Sequence, residues 1–154
     1  MNLFPGILLV DDDDDYLYIA RRAIERTKLH AEVRIAHDGT EALRMLGLKP
    51  GGAETVSPFT VVVVLLDLRM PGVSGWDVLR QIRESERTRA LPVVMVSTSS
   101  RPEDVVRSYD SGANSYVVKK LDDGSPGGFV AEMARYWIEL NQPCRQAGGQ
   151  TAPA

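Results

Sequence analysis

Four apolar runs of the chain each end at a side chain that can take part in chemistry. Asp11 and Asp12 follow the run GILLV, Asp67 follows TVVVVLL, Ser97 ends LPVVMVS, and Lys119 follows SYVV. If these runs are parallel strands of one sheet, their carboxyl ends lie at the edge where open α/β sheets bind ligands. Three carboxylates, one hydroxyl and one ammonium group would then meet in a single pocket.

Three carboxylates in one pocket repel one another. Two unit charges about 4 Å apart interact by roughly 4 kcal/mol at an effective dielectric constant near 20. Such a pocket therefore either holds protons at neutral pH or holds a cation. Oxygen ligands favour Mg²⁺, and the two histidines and one cysteine of the sequence form no cluster that would favour zinc. A bound Mg²⁺ would keep Asp67 ionised and able to act as a nucleophile.

A carboxylate nucleophile beside Mg²⁺, a hydroxyl donor and a lysine can accept a phosphoryl group. The metal and Lys119 would neutralise the equatorial oxygens of the transferred group, and Ser97 would donate a hydrogen bond to one of them. The product on Asp67 would be an acyl phosphate, which hydrolyses readily and suits a reversible signal.

Each of these residues has a plainer explanation when it is taken alone. Asp67 could cap the next helix, Ser97 could simply end its strand, and Lys119 could lie on the surface. The coincidence of chemistry at all four strand ends favours a shared pocket over these separate explanations.

The patterns between these residues predict the elements that position them. Thr60 to Leu66 is a nearly unbroken β-branched run, typical of a strand buried on both faces, whereas Ala31 to His37 alternates as an outer strand would. The first helix is expected to begin at Asp14 or Asp15. Five strands alternating with five helices predict a parallel sheet with helices on both faces.

The fourth helix is predicted within Arg101 to Gly112. Its apolar face is thin, because only Val105, Val106 and Tyr109 contribute to it. We therefore expect this helix to dock weakly and to be mobile.

The last helix is predicted over roughly Phe129 to Asn141. Trp137, Ile138 and Leu140 are more apolar residues than one buried face needs. We expect some of them to contact a partner.

Length and composition are those of a soluble globular protein of one domain. The chain has 154 residues, and its formal net charge of −3 argues against binding nucleic acid by bulk positive charge. The single cysteine, Cys144, allows no intramolecular disulfide. The longest apolar run, Val61 to Leu66, is too short to span a bilayer, and no signal peptide is evident. We expect a cytoplasmic protein without a membrane partner.

The domain is expected to cover residues 1–142, followed by a disordered tail over residues 143–154. The segment Gly47 to Pro58 is rich in Gly and Pro, which predicts a long surface loop.

The motifs ILLVDD, LLDLRMPGVSG, VVMVSTSS and YVVKK, in this order, resemble the receiver domain of two-component response regulators. The resemblance covers roughly residues 6 to 142. It implies a (βα)₅ flavodoxin-like fold, a doubly wound parallel sheet with strand order 2-1-3-4-5. It also implies that Asp67 accepts a phosphoryl group from a sensor histidine kinase.

The same resemblance assigns roles to the residues around Asp67. Asp12 would bind Mg²⁺ directly, Asp11 would act through water, and the main-chain carbonyl of Arg69 would be the third protein ligand. Ser97 and Lys119 would hold the phosphoryl group. Tyr116 matches the switch aromatic residue that turns inward when Ser97 moves.

A narrower resemblance comes from STSS, RSYDSGANSYVVK and YWIELNQP. These segments are similar to small stand-alone response regulators that pair with bacterial phytochrome histidine kinases. The resemblance implies homodimers formed through the fourth and fifth helices. With no room for an output domain, the signal would leave by protein contact, either to a downstream target or through a histidine phosphotransfer partner.

Two positions depart from the receiver pattern. The family usually has Lys-Pro with a cis peptide after the fifth strand, but this chain has Lys119 followed by Lys120. A cis bond without proline costs about 2.5–4 kcal/mol, so we expect a trans peptide and a rearranged loop over Lys120 to Gly128. This departure leaves the position of Lys119 open. Thr98 replaces a smaller residue, which is expected to narrow access to the phosphoryl group.

Two other functions fit parts of the pattern. An Mg²⁺-dependent aspartyl phosphatase would use the same nucleophile, but such enzymes need a second aspartate two residues later, where this chain has Arg69. A pseudo-receiver that serves only as an interaction module would bind no Mg²⁺ and take up no phosphoryl group. The acidic pair and Lys119 argue against that reading, so we expect a signalling protein and not an enzyme that acts on other substrates.

Overall fold

The structure is a computed structural model that describes residues 4–49, 60–120 and 126–144. Strands and helices alternate along these residues. The strands are β1 (Pro5–Val10), β2 (Glu32–Ala36), β3 (Thr60–Leu66), β4 (Val93–Ser97) and β5 (Ser115–Val118). The helices are α1 (Asp14–Arg26), α2 (Gly39–Met45), α3 (Gly75–Glu84), α4 (Pro102–Asp110) and α5 (Gly128–Arg135), and α5 continues as a π-helical turn over Tyr136–Leu140.

The strands form one parallel sheet in the order β2-β1-β3-β4-β5. The pairing places Val10 level with Ala36 and Leu66, and Ser97 level with Val118. The carboxyl ends of the strands are therefore aligned at one edge of the sheet. This confirms the predicted (βα)₅ flavodoxin-like fold and its strand order.

Apolar side chains pack in two clusters, one on each face of the sheet. Val64 and Leu66 of β3 belong to the cluster that includes residues of α2 and α3, whereas Val63 and Leu65 belong to the cluster that includes residues of α1 and α5. This alternation confirms that β3 is buried on both faces. β2 is only half-buried over most of its length, as predicted for an outer strand.

The run of five aspartates divides between the end of β1 and the start of α1. Asp11 and Asp12 directly follow the strand, while the side chain of Asp13 accepts hydrogen bonds from the backbone N–H groups at the start of the helix. Asp14 and Asp15 lie in the first turn of α1, where negative charge is favourable. The predicted helix start is thus confirmed.

The prediction for the apolar face of α4 is wrong. Val106 is 58% exposed and Tyr109 is 49% exposed, whereas Asp104 and Ser108 are the buried residues of this helix. The reason is that α4 docks through hydrogen bonds and not through an apolar face. The expected mobility of the helix stays a prediction.

The last helix spans nearly the predicted residues, but its final five take π-helical geometry. Trp137 and Ile138 are partly buried and pack against the cluster beneath α1 and α5, so they are not surplus as we expected. Leu140 is 73% exposed and Tyr136 is also exposed. The apolar residues available to a partner at this end are therefore Tyr136 and Leu140.

Several predicted features lie outside the described residues. These are most of the loop from Gly47 to Pro58, the middle of the loop after Lys120, and nearly all of the C-terminal tail. Lys119 and Lys120 are both described, and the peptide bond between them is trans. Over the described ranges, no helix combines the length and apolar character needed to cross a membrane.

Arg83, near the end of α3, ties together three parts of the fold. Its guanidinium donates hydrogen bonds to the carbonyl oxygens of Gly112, Arg89 and Leu91 and to Oδ1 of Asn114, at 2.7 to 3.1 Å. These acceptors lie in the segments that lead into β4 and β5. The arginine therefore fixes where both strands begin.

We expect Arg83→Ala to lower the free energy of unfolding by about 2–3 kcal/mol, because the two partly buried carbonyl oxygens of Gly112 and Leu91 lose their donor. Urea denaturation measures this change. The matched control is Arg80→Ala on the same helix, because Arg80 is exposed and its ion pair with Asp77 is 3.6 Å long. The control should change stability by less than about 0.5 kcal/mol. Equal losses in the two variants would contradict the assignment.

Candidate functional site

The site residues are positioned by backbone hydrogen bonds between neighbouring strand ends. The N–H of Asp67 donates to the carbonyl of Val10 at 2.9 Å, and the N–H of Lys119 donates to the carbonyl of Ser97 at 2.8 Å. The ladder thus continues for one residue beyond each strand. The backbone positions of Asp67 and Lys119 are therefore set by the sheet and do not depend on their side-chain contacts.

Lys119 points into the pocket between the strand ends. Its Nζ lies 2.6 Å from Oδ2 of Asp11 and 3.8 Å from Oδ1 of Asp67, and its side chain is only 7% exposed. The trans peptide after Lys119 therefore does not carry its ammonium group away from the carboxylates. The structure brings Asp11, Asp67 and Lys119 together, as the sequence predicts.

Asp11, Asp12 and Asp67 form an acidic cluster that could hold a metal ion. Each offers an oxygen atom, and these atoms all lie within 4.8 Å of one another. Carboxylate oxygens at this spacing could be shared by one divalent cation, and the exposed Asp12 leaves the cluster open to solvent. An all-oxygen set with room for water fits Mg²⁺. The role of the Arg69 carbonyl in this site stays a prediction.

The electrostatics of the pocket disfavour ionised carboxylates in the metal-free protein. Burial, with a further contribution from the charge of Asp11, raises the pKa of Asp67 to about 6. Burial also raises the pKa of Asp11, although the hydrogen bond from Lys119 opposes this change. The ammonium of Lys119 offsets only part of the cost, so a divalent cation would stabilise the ionised cluster.

Tyr16 is a pocket residue that sequence reasoning missed. The centre of its ring lies 4.2 Å from Nζ of Lys119, so the ring contacts the ammonium group in a cation–π interaction. Burial and the charges of Asp11 and Asp67 raise the pKa of the Tyr16 hydroxyl. That hydroxyl is buried without a hydrogen-bond partner in the described part of the chain. Nothing in the sequence around Tyr16 distinguishes it from an ordinary core residue of α1.

Ser97 and Tyr116 meet at the loop that follows β4. Ser97 is buried, and its Oγ accepts a hydrogen bond from the N–H of Ser99 at 3.1 Å. Tyr116 is partly buried, packs against the cluster beneath α2 and α3, and donates from its hydroxyl to the carbonyl of Ser99 at 2.8 Å. The predicted switch aromatic residue therefore lies inward and contacts the Ser97 loop. Thr98 is exposed, and its effect on access to the pocket stays a prediction.

Gly75 fixes the loop that follows Asp67. A β-carbon at position 75 would lie 2.0 Å from the carbonyl oxygen of Asp67, a distance that no real contact reaches. Ser74 and Asp77 complete the start of α3 by capping each other's backbone N–H groups. The first residue of α3 is therefore packed directly against the backbone of Asp67, with no room for a side chain.

A polar network holds α4 against the other side of the site. The indole N–H of Trp76 in α3 donates to Oγ of Ser108, and the guanidinium of Arg107 lies 3.9 Å above the Trp76 ring. Asp104 accepts hydrogen bonds from Ser99 and Arg69, and these partners hold its pKa below the ordinary range. Sequence reasoning missed this network. Its only trace in the sequence is the pair of polar residues, Asp104 and Ser108, spaced one helical turn apart.

Comparison with known proteins identifies the family. The sequence profile of the family described as "Response regulator receiver domain" matches residues 7–125. This chain belongs to that family. It is thus a receiver domain of two-component signalling, as its motifs and strand order predict.

Three relatives illustrate the similarity. The probable methanogenesis regulatory protein FilR2 of Methanothrix harundinacea is 39% identical over 136 residues, which are 88% of this chain and 85% of FilR2. The crystal structure of the phosphorylated cyanobacterial phytochrome response regulator RcpA is 28% identical, with a TM-score of 0.79 over 90% of this chain and 96% of RcpA. The Mn²⁺-bound form of Rcp1, a response regulator of Synechocystis, is 26% identical, with a TM-score of 0.80 over 91% of this chain and 99% of Rcp1.

We expect Asp67→Asn to stabilise the metal-free protein at pH 8 by about 1–3 kcal/mol. The pKa of Asp67 is higher in the folded protein than its ordinary value of 3.8, so the folded state binds this proton more tightly than the unfolded state does. Ionisation therefore costs stability as the pH rises through about 6, and asparagine removes that cost. Urea denaturation in EDTA measures the difference.

Two further conditions test the cause. Below about pH 3 the stability gained by Asp67→Asn should disappear, because Asp67 is then protonated in both the folded and the unfolded state. Added Mg²⁺ should stabilise wild type more than Asp67→Asn. A variant that is less stable than wild type at pH 8 in EDTA would contradict this account of the pocket.

Proposed function

We propose that this receiver domain accepts a phosphoryl group from a sensor histidine kinase on Asp67, with Mg²⁺ bound at the acidic cluster. The observation that carries the proposal is that Asp11, Asp67 and Lys119 converge in one largely buried pocket. The exposed carboxylate of Asp12 lies beside them. This set of groups matches what phosphoryl transfer to a carboxylate requires.

Each group in the pocket has a role in the proposed transfer. Asp12, Asp67 and the Arg69 carbonyl would hold Mg²⁺ directly, and Asp11 would hold it through water. The bound ion would supply charge neutralisation for the phosphoryl oxygens. One oxygen of Asp67 bonds to phosphorus as the phosphorus–nitrogen bond of the kinase phosphohistidine breaks. The departing imidazole keeps the electron pair of that bond.

Lys119 and Ser97 would stabilise the transferred group. The ammonium of Lys119 already lies between Asp11 and Asp67, so it needs to move only a short distance to contact a phosphoryl oxygen. The ring of Tyr16 limits the directions in which this ammonium can move. The Oγ of Ser97 accepts a bond from Ser99, which leaves the Ser97 proton available for donation.

The phosphorylated relative RcpA supports the assignment of a phytochrome kinase as the partner. RcpA is described as a phytochrome response regulator, and this chain matches nearly its whole length. We propose the same class of kinase here, with the signal passed to a downstream protein or to a histidine phosphotransfer protein. Faster transfer from a bacterial phytochrome kinase than from an unrelated histidine kinase would support the pairing, and equal rates would count against it.

We expect acetyl phosphate and Mg²⁺ to add one phosphoryl group to the wild-type chain, as measured by intact mass. No phosphoryl group should be added in EDTA or to Asp67→Asn, because the nucleophile or its metal is then missing. Asp12→Asn should slow labelling strongly, whereas the matched control Asp15→Asn, in the first turn of α1, should label like wild type.

Labelling that persists in Asp67→Asn would overturn the choice of phosphoacceptor. A wild-type chain that neither binds Mg²⁺ nor takes up a phosphoryl group would instead be a pseudo-receiver that works only as an interaction module.

The exposed apolar residues near α4 and the end of α5 support a homodimer through these helices. Val106 and Tyr109 lie on α4, Tyr136 and Leu140 lie on the π-helical turn, and all four are exposed. Val118 at the end of β5 is partly exposed as well. A second copy of the chain would bury these residues and gain apolar contact area.

We expect wild-type protein at tens of micromolar to sediment as a dimer, and Leu140→Glu to sediment as a monomer, because the charge would be buried without a partner. The matched control is Met45→Glu, which places the same charge at an exposed apolar residue of α2. A monomeric wild type would contradict the dimer, and so would a control that dissociates equally.

A further inference from the structure

A second carboxylate is buried where two loops of the site meet α4. Asp104 lies in the first turn of α4 and is only 6% exposed. Its Oδ2 accepts a hydrogen bond from the hydroxyl of Ser99 at 2.6 Å. One guanidinium nitrogen of Arg69 lies 3.1 Å from Oδ2 and 3.3 Å from Oδ1 of the same carboxylate.

Both partners of Asp104 lie close in sequence to residues of the pocket. Arg69 follows Asp67 by two residues, and Ser99 follows Ser97 by two residues. The carboxylate therefore connects the loop after β3 to the loop after β4. It does so from a third element, α4, which contributes no residue to the pocket as described above.

Ser99 makes four hydrogen bonds. Its N–H donates to Oγ of Ser97, and its carbonyl accepts from the hydroxyl of Tyr116. Its own hydroxyl donates to Asp104 and accepts from the N–H of Arg101 at 3.3 Å. These contacts come from β4, from β5, and from α4 with the residue that precedes it. The position of Ser97 relative to the pocket thus depends on contacts that meet at Ser99.

We propose that Asp104 is a positioning residue for phosphoryl transfer, which holds the Ser97 loop through Ser99 and the Asp67 loop through Arg69 in one fixed arrangement. This inference rests on the proposed function of Asp67 as phosphoacceptor. Asp104 does not contact the transferred group. It acts by removing the freedom of the two loops that must be ordered before transfer.

The size of the effect follows from what the loops lose without Asp104. The Ser99 hydroxyl and the Arg69 guanidinium are both partly exposed, so each can bond to water once the carboxylate is removed. The loops would then sample other arrangements, and transfer would have to order them again. Because these groups are partly exposed, the loss is that of an ordinary hydrogen bond, which corresponds to about a five- to tenfold change in rate.

A purely structural role for Asp104 is the competing explanation. A negative side chain in the first turn of a helix favours the helix by itself, and its loss would destabilise α4 without involving Ser99. Glu103 lies in the same turn, is exposed, and interacts only with Arg101 at 3.7 Å among the contacts described. Glu103→Ala therefore removes a negative charge from the same helical turn but removes no contact with the two loops.

The test measures the rate of labelling by acetyl phosphate at saturating Mg²⁺ in full-length variants. We expect Ser99→Ala to slow labelling about five- to tenfold and Asp104→Ala at least as much, because Asp104→Ala also loses the contact with Arg69. The double variant should be no slower than Asp104→Ala alone. Ser99→Thr keeps the hydroxyl and should restore a rate within twofold of wild type. Glu103→Ala should label like wild type.

Urea denaturation of each variant separates folding from positioning. If Asp104→Ala does not fold, Asp104→Asn replaces it, since the amide oxygen can still accept from Ser99 while the charge that attracts Arg69 is lost. That variant should slow labelling by an intermediate amount. Single-variant losses that multiply in the double variant would overturn the proposal, because they would mean that Asp104 does not act through Ser99.

The remaining outcomes are distinct. Asp104 variants that label like wild type overturn the positioning role alone. A wild type that takes up no phosphoryl group overturns the proposed function, and the positioning role falls with it.

Discussion

The ion pair between Lys119 and Asp11 joins the last strand of the sheet to the first across 108 residues of sequence. It can form only if β1, β3, β4 and β5 run parallel and end at the same level. The pair is almost fully buried, so a misplaced strand would leave a buried charge without a partner, which costs several kcal/mol. The strand register that forms the sheet is therefore also the register that the pocket requires. The same pair leaves Asp67 with only part of a counter-charge, so ionising Asp67 costs stability and a bound cation would offset that cost.

The docking of α4 differs in kind from that of the other helices. α1, α3 and α5 bury apolar faces, and burial of a single large apolar side chain contributes about 1.5–3 kcal/mol. α4 instead buries Asp104 and Ser108, and each of its hydrogen bonds contributes about 0.5–1.5 kcal/mol net. The bonds to the carboxylate of Asp104 are partly exposed and can be exchanged for bonds to water, whereas the bond between Trp76 and Ser108 is buried. A helix held this way can change position with less loss of stability than one held by an apolar core.

The sequence was sufficient for the sheet and for most of the pocket because both depend on local signals. Apolar runs that stop at Asp11, Asp67 and Ser97 mark strand ends, and the parallel order of the strands then follows from short right-handed connections. The network around Asp104 could not be predicted this way, because Asp104 lies in a helix and not at a strand end, so no local signal places it beside Arg69. Their contact depends on side-chain directions that no local pattern records.

The error on α4 has a specific physical cause. Counting apolar residues assumes that the neighbouring surface is apolar, but here α4 faces the indole N–H of Trp76 and the hydroxyl of Ser99. Because these neighbours are polar, α4 packs against them with its polar face. Tyr16 was missed for the opposite reason, since its ring fills the core like any other aromatic residue and only its proximity to Lys119 distinguishes it.

The close approach of Gly75 to the carbonyl of Asp67 has one more consequence. With no space for even a methyl group at that point, the main chain carrying the nucleophile cannot shift toward α3 when its charge changes. Whatever rearrangement accompanies a change at this aspartate must be taken up by the opposite wall, where Ser97, Tyr116 and α4 lie.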